Sequence, residues 1–156
     1  MSNNIQDMFV DTIINDVKAS SKKEVYKKLA THVATLIGTP EKFLLDIINK
    51  NEQQQNSAMG NGVAIAHAQL PRLTRPMIVL AKMSDGIDFM ADDREPVDLI
   101  TLVLSPEFEG PTHLQRIAMV ARFFNDETAR KNLREANDYE TIRSTIKQMN
   151  ERKKAA

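Results

Sequence analysis

The chain has 156 residues, 21 basic and 21 acidic side chains, three histidines and no cysteine. That length suits one domain over 1–156, with a core of about 12–150 and a frayed, solvated tail at 151–156. Balanced charge leaves no basic stripe for nucleic acid, and the lack of cysteine excludes disulfides, zinc–thiolate sites and thiol catalysis. No apolar run reaches membrane-spanning length and the start Met1-Ser2-Asn3-Asn4 is no signal peptide, so a cytoplasmic protein without membrane insertion is expected.

Ile13 to Val17 predicts a first strand. Ser21-Lys22-Lys23-Glu24 then has capping-box spacing, with Ser21 as cap and Glu24 reaching back. Val25, Leu29, His32, Val33 and Leu36 follow at helical spacing, and Gly38 sits where the helix should end. Thr39 as cap and Pro40 at the first helical position start a second helix, whose buried face is Phe43, Leu44, Ile47 and Ile48. The polar stretch from Asn49 to Gly62 reads as a surface loop.

Three strands come next: Val63 to Ile65, Met77 to Lys82, and Val97 to Leu104, with a short piece at Ile87-Asp88-Phe89. The run from Asp98 to Leu104 is nearly continuous in apolar character, as expected of a central strand covered on both faces. Helices return at Thr112 to Phe124, with Leu114, Ile117, Ala118, Ala121 and Phe124 on one stripe and Thr112 and Gln115 at capping-box spacing. Asp126 to Ala136 and Tyr139 to Asn150 complete the chain, capped by Asp126 and Asp138. This order argues for a layered α/β domain.

Chemistry concentrates at two histidines. Gly60-Asn61-Gly62 makes a turn into an apolar strand, and His67 follows just past the expected strand end, where an imidazole is accessible as nucleophile, base or ligand. Gly60 and Gly62 allow close approach of a ligand to the backbone. The spacing is not a phosphate-binding Walker loop, and no nucleophile elbow of the Gly-x-Ser-x-Gly kind occurs. A polarisable imidazole at neutral pH suits phosphoryl transfer. His113 falls in the first turn of a predicted helix, where the field disfavours imidazolium and a neutral ring donates one hydrogen bond. His32 shares a stripe with core residues and reads as a satisfied boundary histidine. The three histidines lack metal-ligand spacing, the acids Asp85, Asp88, Asp92 and Asp93 read as turn residues, and the eight methionines read as core filler.

The segment Gly60-Asn61-Gly62-Val63-Ala64-Ile65-Ala66-His67 resembles the active-site stretch of enzyme IIA components of the phosphoenolpyruvate phosphotransferase system, in the fructose/mannitol class and its nitrogen-regulatory branch. The likeness continues through Ala68-Gln69-Leu70-Pro71, Pro96-Val97-Asp98-Leu99, Leu104-Ser105-Pro106 and Thr112-His113-Leu114-Gln115, covering roughly Ser21 to Ile146. The resemblance implies a mixed β-sheet flanked by helices on both faces. It also implies that His67 accepts a phosphoryl group from an HPr-type phosphocarrier while His113 hydrogen-bonds and orients it, with no metal, nucleotide or other cofactor. It points to a regulatory protein that signals to a partner. Two departures stand out. Ala66 replaces the proline that usually precedes the active histidine, and Gln53 falls near the arginine of an Arg-Glu-like element that would neutralise phosphoryl charge.

Two readings follow. In the first the chain is a phosphoryl-transfer component, with Gly60, Gly62 and Gln53 as candidate phosphate-binding residues. In the second it is a non-catalytic docking module of the same fold. The separation of His67 and His113 discriminates between them, because shared work on one phosphoryl group requires near hydrogen-bond contact.

Overall fold

The computed structural model describes residues 7–155, so the Met1–Asn4 start lies outside the described residues. Five strands and five helices follow in the order β1 (Thr12–Val17), α1 (Lys22–Ile37), α2 (Glu41–Gln54), β2 (Ala58–Gly60), β3 (Val63–Leu70), β4 (Met77–Ile87), β5 (Val97–Pro106), α3 (Pro111–Phe124), α4 (Glu127–Glu135) and α5 (Tyr139–Ala155).

The strands form one mixed sheet in the order β1-β4-β5-β3-β2. β3 runs parallel to β5 and β1 parallel to β4, while β4–β5 and β2–β3 are antiparallel. Successive strand side chains point to opposite faces, and the core divides accordingly. Ala64, Ala66, Ala68, Val79, Ala81, Ile100, Leu102 and Leu104 pack under α1 and α2. Val63, Ile65, Ile78, Leu80, Leu99 and Val103 pack under α3, α4 and α5. A continuous apolar run is what β5 needs at the centre of a sheet covered on both sides.

The expected caps hold at most helix ends. The Ser21 side chain accepts from the Glu24 N–H at 3.2 Å, and Gly38 closes α1 in the left-handed region at φ 70°. Asp126 accepts from the Thr128 and Ala129 N–H groups, and Asp138 from that of Thr141. The Glu24 carboxylate, by contrast, accepts from the Ser20 hydroxyl.

Several expectations need correction. Residues 49–54 are helical, because α2 continues to Gln54, and residues 58–60 form β2. Gln and Glu are good helix formers, and tertiary hydrogen bonds of Asn51 and Glu52 outweigh the polar composition. α2 starts one residue later than expected, with Pro40 at its N-cap, and Phe43 is exposed while Leu44 and Ile48 are buried. On α1 the buried arc turns toward Tyr26, Ala30 and Ala34, so His32 faces solvent and Leu36 is exposed. α3 begins at Pro111 after Gly110, which leaves Thr112 inside the helix and unable to cap it, and Leu114 lies outside the buried stripe. Ile87 ends β4 and residues 88–89 form no strand. α5 continues to Ala155 rather than stopping at Asn150, and Arg152 pairs with Asp126 at 3.7 Å; side chains beyond Arg152 lie outside the described residues.

Candidate functional site

His67 lies inside β3, three residues before its end, not past it as expected. It is nonetheless accessible, for a topological reason. β2 pairs with β3 only at Ala64 and Val63, and the Ser57 carbonyl takes the Ile65 N–H, so the residues of β3 beyond Ile65 run along an open sheet edge. An open edge leaves backbone groups unpaired, and here α2 supplies a substitute: Asn51 Nδ2 donates to the His67 carbonyl at 2.8 Å.

The strand register then selects the histidine's neighbours. His67 is level with Val103 on β5, and Gln69 is level with Ser105. Side chains two residues apart share a face, so His67 and Ser105 both point toward α3. α3 enters over this face, and its first turn brings His113 between them. His113 Nε2 lies 3.1 Å from His67 Nδ1, and His113 Nδ1 lies 2.7 Å from Ser105 Oγ. The rings meet edge-on, with centroids 5.0 Å apart and planes inclined at 61°. Behind them Arg116 Nη1 donates to Ser105 Oγ and to Glu109 Oε1, each at 2.6 Å. Arg116 is one helical turn beyond His113 on the same face, so a single helix delivers both.

Both imidazoles are held neutral at pH 7. Burial lowers the His113 pKa to about 4, helped by His67 and the Arg116 guanidinium and opposed by Glu109. Burial also lowers the His67 pKa, against the Glu52 carboxylate, which favours the charged form. A neutral ring is the nucleophilic form.

The other wall of the site comes from α2 and the segment before β2, enclosing a cavity of about 180 Å³ whose lining includes Asn51, Glu52, Asn56, Ser57 and His67. Glu52 organises it. Its carboxylate accepts from the Ser57 N–H and the Tyr26 hydroxyl, each at 2.9 Å, and pairs with Lys22 at 2.5 Å. Burial pushes the Glu52 pKa up, but the Lys22, Ser57 and Tyr26 hydrogen bonds prevail and the net shift is downward. Tyr26 Oη also contacts Ser57 Oγ at 2.6 Å.

The structure brings His67 and His113 together and separates the other candidates from them. Gln53 is exposed and does not line the cavity; Asn51 and Glu52 do. Consecutive helix residues face about 100° apart, so Gln53 turns to solvent although its neighbour Glu52 lines the cavity. Beside Glu52 it is therefore the uncharged Asn51 amide, not Gln53, that reaches the cavity. Gly60 and Gly62 also lie elsewhere. His67 is five residues after Gly62, roughly 16 Å along the strand at about 3.3 Å per residue. Both glycines have positive φ, and a Cβ on Gly62 would run into the Arg134 guanidinium and crowd Asp98. Arg134 holds this turn by bonding Asp98 through its Nε at 2.9 Å and the Asn61 carbonyl through Nη2 at 2.5 Å. These glycines shape the β2–β3 turn and do not line the cavity.

Sequence reasoning missed Ser105, Arg116, Asn51 and Glu52. For Arg116 a signal existed, since it stands three residues after His113 in a recognised helix. Ser105 stood in the quoted Leu104-Ser105-Pro106 motif, but nothing local pointed to a role, because its place beside His67 depends on the β3–β5 register.

Comparison with known proteins agrees with this architecture. Residues 8–149 match the family model described as phosphoenolpyruvate-dependent sugar phosphotransferase system, EIIA 2. A nitrogen regulatory protein of Bradyrhizobium diazoefficiens is 35% identical over 136 residues, covering 87% of this chain and 89% of that protein. Nitrogen regulatory protein IIA-Ntr of Neisseria meningitidis shares the fold, with a TM-score of 0.80 at 21% identity over 86% of this chain and 92% of the other. So does mannitol enzyme IIA of Escherichia coli, solved in complex with phosphorylated enzyme IIB, with a TM-score of 0.73 at 16% identity over 87% and 94%. None of the described helices is long and apolar enough to cross a membrane. The family match spans both histidine-bearing elements and nearly the whole described fold, and the chain belongs to the EIIA 2 family of the phosphoenolpyruvate-dependent phosphotransferase system.

Proposed function

We propose that this chain is a regulatory phosphotransferase component of the nitrogen-regulatory type, in which His67 takes a phosphoryl group from an HPr-type phosphocarrier and a partner protein reads the state of His67. The observation that carries this reading is the 3.1 Å contact between His67 Nδ1 and His113 Nε2 at the cavity wall. Nδ1 is engaged there, so Nε2 is the nitrogen that meets an incoming group. Its lone pair forms the new P–N bond as the P–N bond on the carrier's histidine breaks, and that electron pair returns to the carrier's ring. In the reacting ring the proton sits on Nδ1. The exchange needs no metal or nucleotide, and burial supplies the neutral imidazole it requires. The protein works in the cytoplasm, where such a carrier would meet it.

Intact-mass measurement after incubation with phosphoenolpyruvate, the general phosphotransferase kinase and its HPr-type carrier tests the reading. The expected result is one acid-labile phosphoryl adduct that is lost in His67→Ala and formed more slowly in His113→Ala. Labelling of His67→Ala would overturn the assignment.

One observation favours the docking-module reading. Among the described residues lining the cavity there is no lysine or arginine, and Asn51 stands where a cation would offset phosphoryl charge. An unlabelled chain beside visibly phosphorylated carrier would select that reading.

A further inference from the structure

Ser105 has no exposed surface, and His113 is only 4% exposed. Among the described residues the Ser105 hydroxyl meets two hydrogen-bonding groups, Arg116 Nη1 at 2.6 Å and His113 Nδ1 at 2.7 Å. A guanidinium only donates, so Arg116 takes one lone pair of Ser105 Oγ and offers its proton no acceptor. The hydroxyl proton therefore has one acceptor in reach, His113 Nδ1. The opposite arrangement, with His113 Nδ1–H and Arg116 both donating to Ser105, strands a fully buried hydroxyl proton without a partner.

We propose that Ser105, oriented by Arg116, is a positioning residue that fixes His113 in the tautomer carrying its proton on Nε2, aimed at His67. Glu109 holds the Arg116 guanidinium in place through its 2.6 Å contact. Directionality then runs along the whole chain of contacts: Arg116 donates to Ser105, Ser105 to His113, and His113 to Nδ1 of His67. In the resting protein His67 accordingly carries its own proton on Nε2. For attack that proton leaves Nε2 for solvent in the open cavity and, once the contact with His113 opens, Nδ1 takes one up from the same solvent, so the ring stays neutral. The His113 N–H, released from Nδ1, is free to pass to an oxygen of the incoming group. His113 thus remains a donor throughout, because its other nitrogen is always occupied as an acceptor. The catalytic consequence rests on the phosphoryl-transfer reading above, while the tautomer assignment does not.

The test is nitrogen-15 NMR of the histidine side chains at pH 7, combined with transfer kinetics from phosphorylated carrier. In the unaltered chain His113 is expected as a single tautomer with the proton on Nε2. Ser105→Ala is expected to populate the Nδ1–H form and to lower the transfer rate at saturating carrier by roughly tenfold, with the dependence on carrier concentration unchanged. Ser105→Thr, which keeps a hydroxyl, is expected to restore both. Arg116→Met frees the hydroxyl to turn and is expected to mix the tautomers, which decides the matter should Ser105→Ala fail to fold. A proton on Nδ1 of His113 in the unaltered chain, or an unchanged single tautomer in both Ser105→Ala and Arg116→Met, overturns the proposal. Absence of an adduct on the unaltered chain overturns the phosphoryl-transfer reading instead, and the NMR result still decides the role of Ser105.

Discussion

On the α3 side of the cavity, His67, His113 and Ser105 form a neutral chain whose only charges, Arg116 and Glu109, sit behind it and cancel. On the α2 side, Glu52 gathers Lys22, Tyr26 and Ser57 around a carboxylate, with Lys22 also lying 5.1 Å from the Phe89 ring centre. The first arrangement controls where protons sit and leaves a reactive nitrogen available. The second spends its donors on a carboxylate and ties α1, α2 and the segment before β2 together. Charge at a site wall can thus be used for chemistry or for fastening, and hydrogen-bond accounting tells the two apart.

Removing the fastening should cost the most stability. Glu52→Ala leaves Lys22, the Tyr26 hydroxyl and the Ser57 N–H without their shared acceptor, and a loss of about 2–3 kcal/mol is expected in denaturant unfolding. A loss below about 0.5 kcal/mol, the usual range for surface changes, would mean that Glu52 fastens nothing.

Gly62→Ala comes next, at about 1–2 kcal/mol, from positive φ and the clash with Arg134. Phosphoryl labelling by the carrier should survive in the folded fraction. Selective loss of labelling with stability intact would return the glycine turn to the site.

A smaller effect is expected from Asn51→Arg, which places a cation beside the cavity. We expect the adduct on His67 to hydrolyse a few-fold more slowly, about 1 kcal/mol or less of added ground-state stabilisation for a partly exposed charge pair. Faster hydrolysis, followed by mass loss over time, would show that the missing cation is not what limits the adduct.

The gentlest test separates the two networks by pH. The folded-state pKa values of His67 and His113 are depressed, His113 to about 4 against an ordinary 6.5. The unfolded chain therefore binds more protons between those values, and the histidines' contribution, full above 6.5, is lost as pH falls toward 4. The Glu52 pKa is lowered from 4.5, so its contribution is intact above 4.5 and is lost only as pH falls below that. Thermal unfolding should thus weaken in two stages. His113→Gln should remove much of the upper stage and leave the lower one, and an unchanged upper stage would deny His113 a depressed pKa.

Much of this was legible beforehand because it is local. Ser21, Gly38, Asp126 and Asp138 act on their own helix ends, and short-range geometry decides a cap. The apolar run of β5 announced a doubly covered strand, and the two histidines stood out by their surroundings. What failed were inferences about facing. His32 and Leu36 fit a helical stripe, yet the partner layer selected a neighbouring arc centred on Tyr26 and Ala30. Gln53 adjoins the cavity-lining Glu52 and still points to solvent.

Sequence alone determined most of the elements, though not β2 or the end of α2, together with the family and the histidine pair, since periodicity, caps and motif order are written in adjacent residues. Only the tertiary structure decided that β2 stops short and opens the edge at His67, that β3 pairs with β5 in the register placing Ser105 beside it, and that α3 drops His113 and Arg116 onto that face. Strand register and helix docking are set by the packing of whole layers, with contacts some forty residues apart, and no local pattern encodes them.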